Sequence, residues 1–304
     1  MQLSRARRAG RRGARRYTTR DLAVLGVLLG IPILIDVVII WGPTLASVAL
    51  SFTDWDGITE LEWVGADNYR SLVSSYPPFW PAVRNNLLWL LFLGLVATPF
   101  GLLLAVLIDR GVRFSRFYQS TLYMPVVLSL AIVGFIAQLV FSRDQGALNA
   151  ILANQDHPVD WIGDPDLNIW VILLAAGWRH VGYVMILYLA GLKSVDPNLK
   201  EAAALDGAGE RQTFLRVVFP VLRPVNVIVG VITVIEGLRA FDIVYAVNKG
   251  RNGLELLSVL VTDNIIGEAS RIGFGSAIAT VLLVVSLGFI VTYLVQEFRG
   301  EKRR

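Results

Sequence analysis

Six apolar runs divide the chain, each about long enough to cross a bilayer as a helix. The first extends from about Leu22 to Leu50 and is interrupted by Asp36 and by Trp41-Gly42-Pro43. The second, Leu87 to Ile108, has no charge but holds Pro99, which predicts a kink. The third, Phe117 to Phe141, contains Pro125, and the fourth, Ile169 to Leu192, carries Arg179 and His180 near its middle. The fifth, Val225 to Val247, is broken by Glu236, Arg239 and Asp242, and the sixth runs from Phe274 to Val295. Between the fourth and fifth runs lies the most polar long stretch between apolar blocks, EAAALDGAGERQTFLRVVFPVLRP, from Glu201 to Pro224. Asp196-Pro197 opens it as a helix start, with a capping oxygen followed by a proline suited to the first helical position. The run predicts a short Ala-rich helix over Leu199–Leu205, a bend at Gly207, and a second helix over Glu210–Val218 that Pro220 and Pro224 interrupt.

Composition adds a class, and charge adds an orientation. A hydrophobic fraction of 55% and a mean hydropathy of +0.58 exceed what a soluble core of 304 residues needs, so the chain is expected to be an integral membrane protein. The net charge of +4 says little as a total, but its distribution is uneven. With the amino terminus inside, the inner segments hold eight, three, five and four basic residues, against two, one and three in the outer loops. That bias places both termini and the polar stretch in the cytoplasm. The tail Met1–Arg20, with eight arginines and no acidic residue, reads as a cytoplasmic segment that fixes orientation and touches anionic lipid. It has no aromatic interleaving or fold motif for nucleic acid.

The polar stretch resembles the EAA loop of the membrane-spanning subunits of bacterial binding-protein-dependent ABC importers. The pattern is matched at Glu201, Ala202, Ala203, Asp206, Gly207, Ala208, Phe214, Pro220 and Pro224, with conservative drift at Val217 and Phe219. SFTDWDG after the first run, the Gly65–Tyr69 segment, DQGALN and WIGDP are similar to stretches of the carbohydrate-uptake branch. One departure stands out: where these permeases usually have Thr and a Gly-Gly-Pro turn after the Phe-Asp…Tyr positions, this chain has Asn248-Lys249-Gly250-Arg251-Asn252-Gly253. The resemblance implies a type I importer permease: an all-α membrane domain over residues 22–296 with six transmembrane helices and a cytoplasmic two-helix coupling loop at 194–224. Tails 1–21 and 297–304 flank that domain. It also implies residence in a bacterial plasma membrane, two ABC ATPase subunits that bind the ATP and Mg, a second permease subunit and an extracytoplasmic solute-binding protein. No cofactor is expected in this chain.

The chemistry is that of a path rather than a catalyst. No phosphate-cradling GxxxxGK[ST] occurs, so ATP hydrolysis must come from another chain. There is no cysteine, and the two histidines, His157 and His180, have no metal-ligand spacing. An ionised side chain at mid-membrane costs roughly 2.5–3.5 kcal/mol on insertion scales, so those present face protein or a wet cavity. Glu236, Arg239 and Asp242, at i, i+3 and i+6, would form one helix stripe. Either Arg239 bridges the two carboxylates, or the stripe lines a translocation path and holds solute hydroxyls. Arg179 is a further path candidate, or else a buried partner for Asp36. Tyr245 and Trp178 are candidates to stack on a sugar ring, and His180 reads as a packed polar residue. The expected solute is a sugar or related polyol. A phosphorylated polyol such as glycerol 3-phosphate, and an ion-coupled carrier using Asp36, Glu236 and Asp242, are the alternatives.

Overall fold

A computed structural model describes residues 18–152, 157–267 and 270–301, with side chains up to residue 296. Most of the Arg-rich tail, the basic carboxyl end and His157's neighbours at 153–156 lie outside the described residues. The chain forms two compact units, residues 1–49 and 50–304.

The first unit holds helix α1, Thr19–Leu50. Its start is a capping box: the Thr18 hydroxyl accepts from the Asp21 N–H at 3.2 Å, and the Asp21 carboxylate accepts from the Thr18 N–H at 2.9 Å. Asp36, the one charge inside this apolar run, accepts from Trp41 Nε1 at 3.1 Å. A π turn, Val37–Trp41, lies between them, and its wider winding brings residues five apart onto one side.

The second unit is helical throughout, with one isolated bridge, Thr53 to Trp63, among its described residues. In chain order come α2, Asp67–Ser74; α3, Phe79–Asp109; α4, Ser115–Val127; α5, Leu130–Phe141; and α6, Ala147–Ile151. Then follow α7, Asn168–Ser194; α8, Pro197–Leu205; α9, Glu210–Val221; α10, Arg223–Leu238; α11, Asp242–Asn248; α12, Leu257–Ile265; and α13, Ile272–Glu301. The helices α1, α3, α7 and α13 are each long and apolar enough to cross a membrane. Two bent pairs complete the set: α4 and α5 meet at 100°, and α9 meets the Arg223–Asn248 segment at 73°, which makes six crossings when each pair is one span.

Proline explains much of this geometry. Three π turns, Val37–Trp41, Leu93–Ala97 and Phe214–Val218, each end two residues before a proline: Pro43, Pro99 and Pro220. In each case the residue just before the proline donates its N–H to the carbonyl five residues back. The wider turn leaves room for a ring that has no N–H and would clash one turn below. Pro99 therefore does not break the second span, and α9 continues through Pro220 to Val221 before bending at Leu222. After Pro125 the third run does break: α4 ends at Val127, and Ser129 caps α5 by accepting from the Ile132 N–H at 3.3 Å.

The core is built around α7, which buries fifteen of its 27 residues. One apolar cluster packs Ile172, Leu173 and Ala176 against Trp89, Leu93, Val133 and Val244; another packs Val184, Met185 and Leu189 against Ala105, Val218 and Leu222. Helices in lipid gain little from apolar burial alone, so close backbone approach matters. At Gly182 a Cβ would stand 2.2 Å from the Leu122 carbonyl oxygen, and at Gly101 it would stand 2.8 Å from Val184. Gly182→Ala should force α4 away from α7 and cost roughly 1–3 kcal/mol. Gly94, where the nearest atom is 4.0 Å away, should tolerate Ala without loss. Thermal unfolding of the two detergent-solubilised variants checks this, and equal melting temperatures would refute it.

Candidate coupling helices and translocation cavity

Helix α8 is closed at both ends by its own sequence. Asp196 accepts from the Asn198 N–H at 2.9 Å. At the other end Gly207 N–H donates to Ala204 O at 3.1 Å and Ala208 N–H to Ala203 O at 3.0 Å, with Gly207 at φ +80. This double closure needs a residue with positive φ, which is why glycine sits there. The chain reverses and enters α9, which leads through the bend at Leu222 into α10.

The residues of the resemblance divide into two groups. Ala203 is buried and Phe214 packs against the cluster of Leu189, Leu192 and Val195, so both root the helices to the membrane domain. Ala208 and Pro220 are half-buried. Glu201, Ala202, Asp206 and Gly207 are exposed, and beside them Leu205 presents an apolar side chain that is 89% exposed. Ion pairs brace the arrangement to the end of α3: Lys200 lies 3.4 Å from Asp109, and Arg110 lies 3.0 Å from Glu210. The Arg110–Glu210 pair is largely open to solvent and is worth little, while the Lys200–Asp109 pair is half-buried.

The charged residues of the fifth span share a cavity rather than a stripe. Helix α10 stops at Leu238, and Arg239, Ala240 and Phe241 form a break before α11 begins at Asp242. The i, i+3, i+6 relation therefore fails, because no continuous helix carries it. Side chains from other helices satisfy the backbone at this break. Asn86 donates to Gly237 O at 3.4 Å and Leu238 O at 3.2 Å, and the Ser258 hydroxyl donates to Ala240 O. At the far end of α11, Gln138 donates to Ala246 O and Val247 O. The break turns Glu236, Arg239 and Asp242 onto one cavity of about 320 Å³, walled by Trp89, Leu93, Leu130, Ala176, Ile235 and Phe241. Tyr245 stacks on Phe241 with centroids 4.9 Å apart and rings 22° from parallel, so it backs the wall. Trp178 is exposed and is not among the cavity's lining residues.

Arg239 does not bridge the carboxylates. Glu236 is held instead by α7: Arg179 Nη1 lies 3.2 Å from one carboxylate oxygen and His180 Nδ1 lies 3.1 Å from the other. Arg179 is thereby committed to Glu236 rather than to Asp36, whose carboxylate meets Trp41. Among the described residues Arg239 and Asp242 have no ion pair, and both are exposed at the cavity. The sequence reading overlooked Asn85 and Asn86, just before the second apolar run, and Thr98 and Thr233, whose place inside apolar runs was the signal available. Asn85 donates to Gly253 O at 2.7 Å and Glu255 O at 2.9 Å. Asn85 and Asn168, which donates to Asn252 O, pin the unusual Asn248–Gly253 loop, where Lys249, Gly250, Asn252 and Gly253 all have positive φ.

Residues 97–300 match the family described as binding-protein-dependent transport system inner membrane component. The xylose/arabinose import permease protein XacH of Haloferax volcanii is 34% identical over 279 residues, covering 89% of this chain and 86% of that protein. The arabinooligosaccharides transport system permease protein AraP of Bacillus subtilis is 33% identical, covering 80% and 79%. A solved bacterial ABC transporter involved in the import of the acidic polysaccharide alginate has the same fold, with a TM-score of 0.78 at 22% identity over 92% of this chain and 96% of that one. The chain belongs to the inner membrane component family of binding-protein-dependent transport systems; it is a permease subunit.

The pairing pattern sorts the cavity residues by experiment. Arg239→Ala or Asp242→Ala leaves no partner unpaired, so complex yield should stay near wild type while uptake falls at least tenfold. Glu236→Ala strands a buried guanidinium and imidazole, and its first effect should be on yield. Equal yields for all three, or normal uptake by the Arg239 and Asp242 variants, would remove this distinction.

Proposed function

We propose that this chain is the membrane-spanning subunit of an ATP-driven importer that translocates a sugar or related polyol delivered by an extracytoplasmic binding protein. The observation that carries the reading is one of continuity. The exposed face of α8 connects through α9 and one 73° bend to α10, whose end forms the wall of the charged cavity. A push on α8 is thus a displacement of the cavity wall. Two ATPase subunits, holding ATP and Mg, would dock on Leu205 and its neighbours Glu201, Ala202, Asp206 and Gly207. A second permease subunit would complete the path.

The cavity chemistry suits hydroxyls. A guanidinium and a carboxylate left unpaired beside an aromatic wall can donate to and accept from vicinal hydroxyl groups, and the names of XacH and AraP point to pentoses and their oligomers. Neither relative's name points to a phosphorylated polyol. An ion-coupled carrier has no use for coupling helices, and the matched family is one of binding-protein-dependent transport. Purified importer in proteoliposomes, supplied with binding protein and ATP, should accumulate xylose, arabinose or arabino-oligosaccharides from a labelled panel. ATP-dependent uptake of no sugar, with uptake of another solute class, would overturn the proposal. Leu205→Asp and Gly207→Val should each cut sugar-stimulated ATP hydrolysis and uptake together by fivefold or more without loss of the subunit. The first puts a charge in an apolar contact, and the second puts a β-branched side chain at φ +80.

The arginine and lysine distribution supports a cytoplasmic position for α8, α9 and both termini. In a chain without native cysteine, a thiol placed at Glu210 should react with a cytoplasm-restricted label and one at Ile58, which is 89% exposed, should not. The reverse pattern would invert the orientation.

A further inference from the structure

His180 is fully buried on α7, and its two ring nitrogens reach two other spans. Nδ1 lies 3.1 Å from Glu236 on α10, while Nε2 lies 3.2 Å from the Thr98 hydroxyl on α3 and 3.2 Å from the Thr233 hydroxyl on α10. Thr233 gives its hydroxyl hydrogen to Val229 O at 2.8 Å. With Nδ1–H donating to Glu236, Nε2 is an acceptor that the Thr98 hydroxyl can serve, and that hydroxyl also lies 3.2 Å from the Thr233 hydroxyl, so both imidazole nitrogens have partners. Arg179 closes the second carboxylate oxygen from the same helix as His180.

The position of this cluster gives it a mechanical meaning. Helix α7 enters the coupling segment at Ser194, and α10 leaves it at Arg223. His180 stands about 21 Å up the first arm and Glu236 about 20 Å up the second, at 1.5 Å per residue. Arg239, at the cavity, is less than one turn beyond Glu236. Two apolar helices in lipid are otherwise held by shallow side-chain packing. Charge-assisted hydrogen bonds are directional, and sliding by one or two ångströms would break them. We propose that His180, with Arg179 and Glu236, is a clasp that makes α7 and α10 one rigid arm, so that force at the coupling helices moves the cavity wall instead of being lost as sliding between the spans. His180 is a positioning residue in this scheme and touches no solute. The inference rests on the permease reading above.

The test uses the complete importer in proteoliposomes. Spin labels on cysteines at Leu174 and Ile228, both exposed and on opposite arms, report the distance between α7 and α10 without any solute. With His180 present that distance should be narrow and the same in nucleotide-free and ATP-bound states; in His180→Ala it should broaden or shift by several ångströms on ATP binding. With labelled arabinose or xylose as the probe, His180→Ala should keep ATP hydrolysis within twofold while sugar imported per ATP falls at least fivefold. Thr98→Val combined with Thr233→Val removes the partners of Nε2 with little change of volume. It should reduce import per ATP at least twofold, and it supplies the reading if His180→Ala does not assemble. Unchanged label distances together with unchanged import per ATP would refute the clasp. Wild-type importer that moves no sugar would instead sink the solute assignment, with the label distances still judging the clasp.

Discussion

A backbone that breaks inside a membrane must find partners for the carbonyls and N–H groups it frees, and the irregular features of this permease are arranged around that requirement. At Pro43, Pro99 and Pro220 the preceding turn widens and the helix continues. Where the chain truly breaks, amides and hydroxyls come from elsewhere. Asn86 and Ser258 hold the carbonyls at the interruption around Arg239–Phe241, and Gln138 holds those at the far end of α11. At that interruption Arg239 and Asp242 turn toward one cavity with Glu236.

The same requirement separates structural charge from available charge. Glu236 is bound on both oxygens by neighbours on α7, so its desolvation is offset within the protein. Arg239 and Asp242 lack such partners and sit at the opening, where water or solute must satisfy them. A permease gains from this division. In the proposed reading, groups that grip the solute can exchange partners during a cycle, while the group that holds two helices together keeps its own.

Transmission follows from the connectivity between these parts. Rooting Ala203 and Phe214 in the membrane domain while exposing Leu205 gives the coupling helices one face that is fixed and one that another protein can push. The bend at Leu222 then carries the push into α10. Since α7 and α10 flank the helical segment α8–α9 in sequence, the proposed clasp between them, about 20 Å away, would join the two arms into one frame.

Six apolar runs, the capped Ala-rich helix, the glycine bend and the basic asymmetry were all legible in the amino acids, because each is a local matter of hydropathy, capping or φ preference. The resemblance carried by Glu201–Pro224 was legible for the same reason, since a surface that meets a partner is written in consecutive residues. Pro99 and Pro220 were harder to read: a proline implies a disturbed turn, but only the neighbouring helices decide between a kink and a π turn. The charged cavity was read from spacing as a stripe, and that was wrong in form. Three-residue spacing describes a face only while the helix lasts, and the carbonyls at its end, Gly237 and Leu238, are met by Asn86, some 150 positions earlier in the chain. Which carboxylate was free and which was held depended likewise on Arg179 and His180, brought alongside Glu236 by packing of α7 on α10. Local periodicity determined the elements; contacts between residues distant in sequence, which no local pattern encodes, decided which charges face the path.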